Sequence, residues 1–101
     1  PADKPPIEKS PSLFYWDTAG GVDFHPETYI DITEEWDEKM NALACHKSQY
    51  AWMDTFQLHG FTDHCRILGE FRGLQHGCKY AEGFRAYRIH GFMPDFSLLP
   101  F

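Results

Sequence analysis

The sequence predicts an α/β fold with two main helices and short strands, and three observations carry that expectation. Apolar residues recur at helical spacing twice, once from Trp36 and once from Ile67. Short runs of aromatic and β-branched residues, Leu13 to Trp16 and Tyr29 to Ile32, read as strands. Glycine and proline punctuate the intervals between them.

Taken in chain order, residues 1–12 form a proline-rich irregular arm, with prolines at 1, 5, 6 and 11. Leu13-Phe14-Tyr15-Trp16 is then a strand closed by the turn Asp17 to Gly21, and a run of this kind suits a strand covered on both faces. Tyr29 to Ile32 leads into a helix over Glu34 to Ser48, with Thr33 as its cap and two glutamates in the first turn. Trp36, Met40, Leu43 and Ala44 form its apolar stripe. A second helix starts with Thr62 as cap, presents Ile67, Leu68, Phe71 and Leu74 as its apolar face, and stops at Gly77. Gly69 and Gly73 leave a bare stripe on it, and each costs about 1 kcal/mol of helix propensity, so another element is expected to approach closely there. Lys79 to Arg88 reads as extended, and Phe92 to Phe101 as an apolar tail with prolines at 94 and 100.

The chain has 101 residues, 43% of them apolar and 17% aromatic, enough for one small core. A net charge of −6 argues against nucleic acid and anionic lipid as partners, because both require a positive surface. The excess is confined to residues 1 to 50, which hold ten acids and four bases, and seven of those acids lie between Asp23 and Glu38. Around a helix start, they read as a solvated cluster complementing the helix dipole. No apolar run is long enough to span a bilayer and no export signal is visible, so a soluble, cytoplasmic protein is expected. Cys45, Cys65 and Cys78 form an odd set without a C-x-x-C pair and read as free thiols.

Chemistry is harder to find. The six histidines lack the paired spacing of a structural zinc site, and His64-Cys65 and Cys45-His46 are adjacent pairs, which rarely serve one ion. His25-Pro26-Glu27 opens like an amidase metal motif, but Thr28 follows where a second acid would supply a ligand, so it reads as a loop. Ser48 lies too close to His46 along a helix end to be activated by it, and no nucleophile elbow or phosphate-binding glycine loop occurs.

Three stretches taken together carry a resemblance. They are Tyr29-Ile30-Asp31-Ile32-Thr33 leading to Lys39-Met40-Asn41-Ala42-Leu43-Ala44-Cys45-His46-Lys47-Ser48-Gln49, then Phe71-Arg72-Gly73-Leu74-Gln75, then Lys79-Tyr80-Ala81-Glu82-Gly83-Phe84-Arg85. In this order they resemble the C-terminal part of the LmbE-like, or PIG-L-like, de-N-acetylases, over about residues 12 to 88. The resemblance implies that residues 13–101 are the C-terminal segment of a Rossmann-like three-layer α/β hydrolase that uses zinc to remove an N-acetyl group, commonly from a glucosamine-type substrate. The family's His-Pro-Asp-Asp motif lies ahead of the matched region, so no catalytic residue, metal ligand or cofactor is expected from this chain alone. Its expected contribution is scaffold and part of a substrate-pocket wall, with His46, Ser48 and Gln49 at the helix end and Tyr80, Glu82 and Arg85 in the closing motif as substrate-binding candidates.

Without a larger sheet to cover them, the apolar helix stripes imply a missing N-terminal half or a homo-oligomer. The alternative is a stand-alone interaction or oligomerisation module that binds through exposed aromatics, Trp16, Trp52, Phe96 and Phe101.

Overall fold

The computed structural model describes residues 11–48, 60–89 and 94–100. Strands β1 (Phe14–Trp16), β2 (Thr28–Asp31) and β3 (Ala81–Ala86) form one sheet in the order β1-β3-β2. Both pairings are antiparallel: Tyr15 lies opposite Arg85 on one side of β3, and Ile30 opposite Glu82 on the other. The last strand of the chain is thus the central one. Among the described residues two helices, α1 (Trp36–Leu43) and α2 (Phe61–His76), complete a small α/β domain. Among the described residues no helix is long and apolar enough to cross a membrane.

The expected elements are present, with corrections at their ends. Thr33 does not cap α1. Its hydroxyl donates to Asp31 Oδ1 at 2.6 Å and accepts from the Tyr80 backbone N–H at 3.3 Å, so it ties the end of β2 to the approach to β3. The helix begins behind Glu35 instead, with no side-chain cap. It ends at Leu43 rather than Ser48, because Cys45 N–H bonds Ala42 O and His46 N–H bonds Leu43 O, three-residue closures that tighten the last turn. Helix α2 is capped by Gly60, which places Thr62 inside the first turn. Its far end is as expected: Gly77 adopts φ 89°, and its N–H closes on Gly73 O at 2.7 Å.

The core is small: Phe24, Ile30, Trp36, Tyr80, Ala81 and Ala86 are its buried apolar residues. Trp36 and Tyr80 stack with centroids 3.9 Å apart and planes 3° from parallel. That stack lies on Gly69, where an added Cβ would sit 2.8 Å from Trp36 Cζ3. One turn on, Gly73 gives the same clearance to the chain entering β3, since a Cβ there would be 2.5 Å from Lys79 O. The glycine stripe is therefore the inward face of α2. In consequence Leu74 is 79% exposed and Ile67 and Phe71 are 42% and 46% exposed, while Leu68 is the best covered of the expected apolar face.

Candidate functional site

Where β1 ends, the chain passes into a short 3-10 turn (Ala19–Gly21), leaving a cleft of about 320 Å³ between this turn, α1 and α2. Its walls are mostly apolar, with Leu43 from α1, Cys65 and Leu68 from α2, and Ala81 from β3. Trp16 stands at the cleft with 58% of its surface exposed, as the last residue of an edge strand.

The cleft's charged groups come in two pairs. Lys39, one turn into α1, donates from Nζ to Glu82 Oε1 at 2.9 Å, the two side chains being 23% and 21% exposed. The same ammonium lies 5.6 Å from the Trp16 ring centroid and 5.5 Å from that of Trp36, so two indoles and a carboxylate fix its position.

Beneath this sits the second pair, Arg72 with Asp17, each side chain 3% exposed. Arg72 Nε donates to Asp17 Oδ2 at 2.6 Å and Nη2 to Oδ1 at 3.1 Å, a bidentate geometry. Two of the three remaining N–H groups of the guanidinium are also used: Nη2 donates to Phe24 O, and Nη1 to Gln75 Oε1, which accepts from the Tyr29 hydroxyl as well. This pair locks the backbone just after Trp16 to the middle of α2, and so sets the floor against which the cleft opens.

Thiols do not offer a nucleophile here. Burial pushes the Cys65 thiol up, with the nearby Lys39 charge opposing, which keeps it protonated at neutral pH. Cys78 is pushed up too, by burial first and then by the Asp31 carboxylate.

The sequence-derived candidates separate. Glu82 lines the cleft, paired with Lys39. Tyr80 lies buried under Trp36. Arg85 is exposed and donates to His25 O at 3.0 Å. His46 and Ser48 are exposed beyond the end of α1 and do not line the cleft. Gln49 lies outside the described residues, as do Trp52 and Phe101. Phe96 packs edge-on against Phe14 with centroids 5.5 Å apart.

The tripeptide His25-Pro26-Glu27 is a structural loop: Pro26 covers Gly83, while Glu27 accepts from Ala86 N–H and from Arg88. Among the described residues, no three His, Cys, Asp or Glu side chains gather into a possible metal shell. Sequence reasoning missed Lys39, Asp17 and Arg72. For Arg72 a signal existed, since it falls three residues after Gly69 and just before Gly73, on the bare face of the helix.

Comparison with protein-family models, curated proteins and solved structures finds no match to this chain, so the geometry alone speaks for the site.

Proposed function

We propose that this chain supplies scaffold and one wall of a substrate pocket in a zinc-dependent deacetylase acting on N-acetylated, sugar-type small molecules, the kind of enzyme its motifs resemble. The observation that supports this reading is the position of Glu82. It belongs to the Tyr80-Ala81-Glu82-Gly83-Phe84 motif, and it opens into a cleft beside an exposed indole rather than serving only the packing of β3. Sugar rings bind to such combinations of an aromatic face and charged hydrogen-bonding groups.

The role is a binding one. The described residues do not gather the three or more His, Cys, Asp or Glu side chains that would hold a zinc ion. The metal-bearing half and the strands of a Rossmann-like three-layer arrangement would come from another segment, in a cytoplasmic setting. A second reading, an interaction module, is favoured by one specific feature: the outward stripe Ile67, Phe71 and Leu74 on α2.

The deciding experiment reads the coding frame ahead of Pro1 and co-expresses the encoded segment with this chain. A His-Pro-Asp-Asp motif, a stable complex and zinc-dependent acetate release from an N-acetylglucosaminyl substrate are the expected results. A frame without that motif, or a complex whose acetate release is unaffected by Glu82→Ala, removes the deacetylase-wall reading and leaves the interaction module.

A further inference from the structure

Beyond that reading, and standing on the cleft alone, the hydrogen-bonding capacity left over at the ion pair identifies a ligand chemistry. Lys39 Nζ has three N–H donors and uses one, on Glu82 Oε1; no other hydrogen bond engages Lys39 Nζ or Glu82 Oε2 among the described residues. No buried side-chain oxygen or nitrogen there lacks a partner, so Oε2 is not sealed in the interior but reaches the open cleft. The pair therefore presents a donor and an acceptor side by side, with no net charge between them. Next to it Trp16, 58% exposed and with the Lys39 ammonium 5.6 Å from its ring centroid, offers an aromatic surface.

We infer that the cleft binds a planar heterocycle carrying a lactam edge, a ring N–H beside a ring C=O, with the carbonyl accepting from Lys39, the N–H donating to Glu82 and the ring stacked on Trp16. The geometry of the amide decides the class. In an open-chain secondary amide such as an acetamido group, the N–H and C=O point in opposite directions and cannot meet two adjacent partners, so an N-acetylated sugar would meet this pair through ring hydroxyls instead. A lactam ring constrains the N–H and C=O to the same side. Pyrimidine-type bases have this edge, are flat, and fit within about 320 Å³. Free anions and free cations are disfavoured, since each meets one like charge of the pair at close range.

The test follows the Trp16 indole N–H by NMR, assigned by its loss in Trp16→Phe. Three probes are titrated into the chain: uracil, 1,3-dimethyluracil, which keeps the flat ring but has no N–H, and N-acetylglucosamine. Uracil is expected to shift the Trp16 signal saturably, in the weak range ordinary for so small a ligand, with dimethyluracil about tenfold weaker. Lys39→Met is expected to weaken uracil by a similar factor and Lys39→Arg to restore most of it. If Lys39→Met fails to fold, the two uracils on the native chain carry the test. Equal binding of the two uracils, or no binding of uracil, overturns the inference. N-acetylglucosamine binding in place of uracil overturns it as well while leaving the pocket-wall reading intact. Uracil binding in a chain whose coding frame lacks the metal motif does the reverse.

Discussion

Replacing Arg72 by methionine should do more damage than a change at any other charged residue described in this domain except its partner Asp17. The substitution keeps a long unbranched stem but leaves the Asp17 carboxylate 97% covered, with both of its Arg72 partners gone. Breaking a buried pair from one side costs about 3–5 kcal/mol, because the remaining charge stays desolvated, here with only the Thr18 N–H still donating to Asp17 Oδ1. Phe24 O and Gln75 lose a donor as well. A domain of this size has a total stability near the lower end of roughly 5–15 kcal/mol, so Arg72→Met should be largely unfolded at physiological temperature. Asp17→Leu should cost a similar amount by stranding the guanidinium. The double variant Asp17→Leu/Arg72→Met should recover much of the loss, since a buried ion pair exchanged for apolar side chains is often neutral. Urea denaturation followed by circular dichroism, with midpoints compared at unchanged slope, measures all three. Single variants costing below about 1 kcal/mol, or a double variant as costly as the sum of the singles, would show that the pair is not the coupling between β1 and α2 described above.

Three further outcomes are expected. Gly73→Ala should lower the melting temperature despite gaining about 1 kcal/mol of helix propensity, because its Cβ would lie 2.5 Å from Lys79 O and 2.7 Å from Cys78 O, both backbone atoms with little freedom to retreat; a raised melting temperature contradicts the close approach. Hydrogen bonding from Ala86 N–H, then from Arg88, holds the Glu27 carboxyl below its ordinary value of 4.5, so its stabilisation is complete above that pH and is lost as pH falls through the lower folded value. Glu27→Gln should flatten the acid side of the stability profile, and an unchanged profile counts against those bonds. Alkylation by iodoacetamide at neutral pH should reach exposed Cys45 before Cys65 and Cys78, whose thiols are pushed up, as peptide mapping can show; Cys65 reacting first would mean that the cleft wall is open.

What could be read from the sequence was local. The strands around Phe14 and Tyr29, the extended segment after Lys79 and the stop at Gly77 depend on neighbours a few residues away and form where expected, but β1 is not covered on both faces as its apolar run suggests: it is an edge strand with Tyr15 and Trp16 exposed. The start of α1 differs from the expectation because its capping residue is claimed by a distant partner. Thr33 is drawn to Tyr80, 47 residues later, and once its hydroxyl is engaged there the helix must begin without it. The ion pairs were invisible for the same reason. Lys39 and Glu82 are 43 residues apart, and Asp17 and Arg72 are 55, so no spacing rule connects them until β3 is laid between β1 and β2.

Helix α2 shows how a local rule can point to the wrong face. Its apolar spacing marks Ile67, Phe71 and Leu74 as the side to bury, yet the sheet takes the opposite side. The reason is steric. The Trp36–Tyr80 stack and the chain entering β3 are bulky and inflexible, and they need a surface that recedes; only Gly69 and Gly73 provide one. A guanidinium set between those glycines can then reach under the stack to Asp17, which a helix packed by its leucines would not allow. The same choice that creates the buried pair and the cleft above it leaves the apolar stripe facing outward. The cleft and the outward stripe are therefore two results of a single packing decision, and a substitution that fills the glycine face, such as Gly69→Leu, should disturb both together.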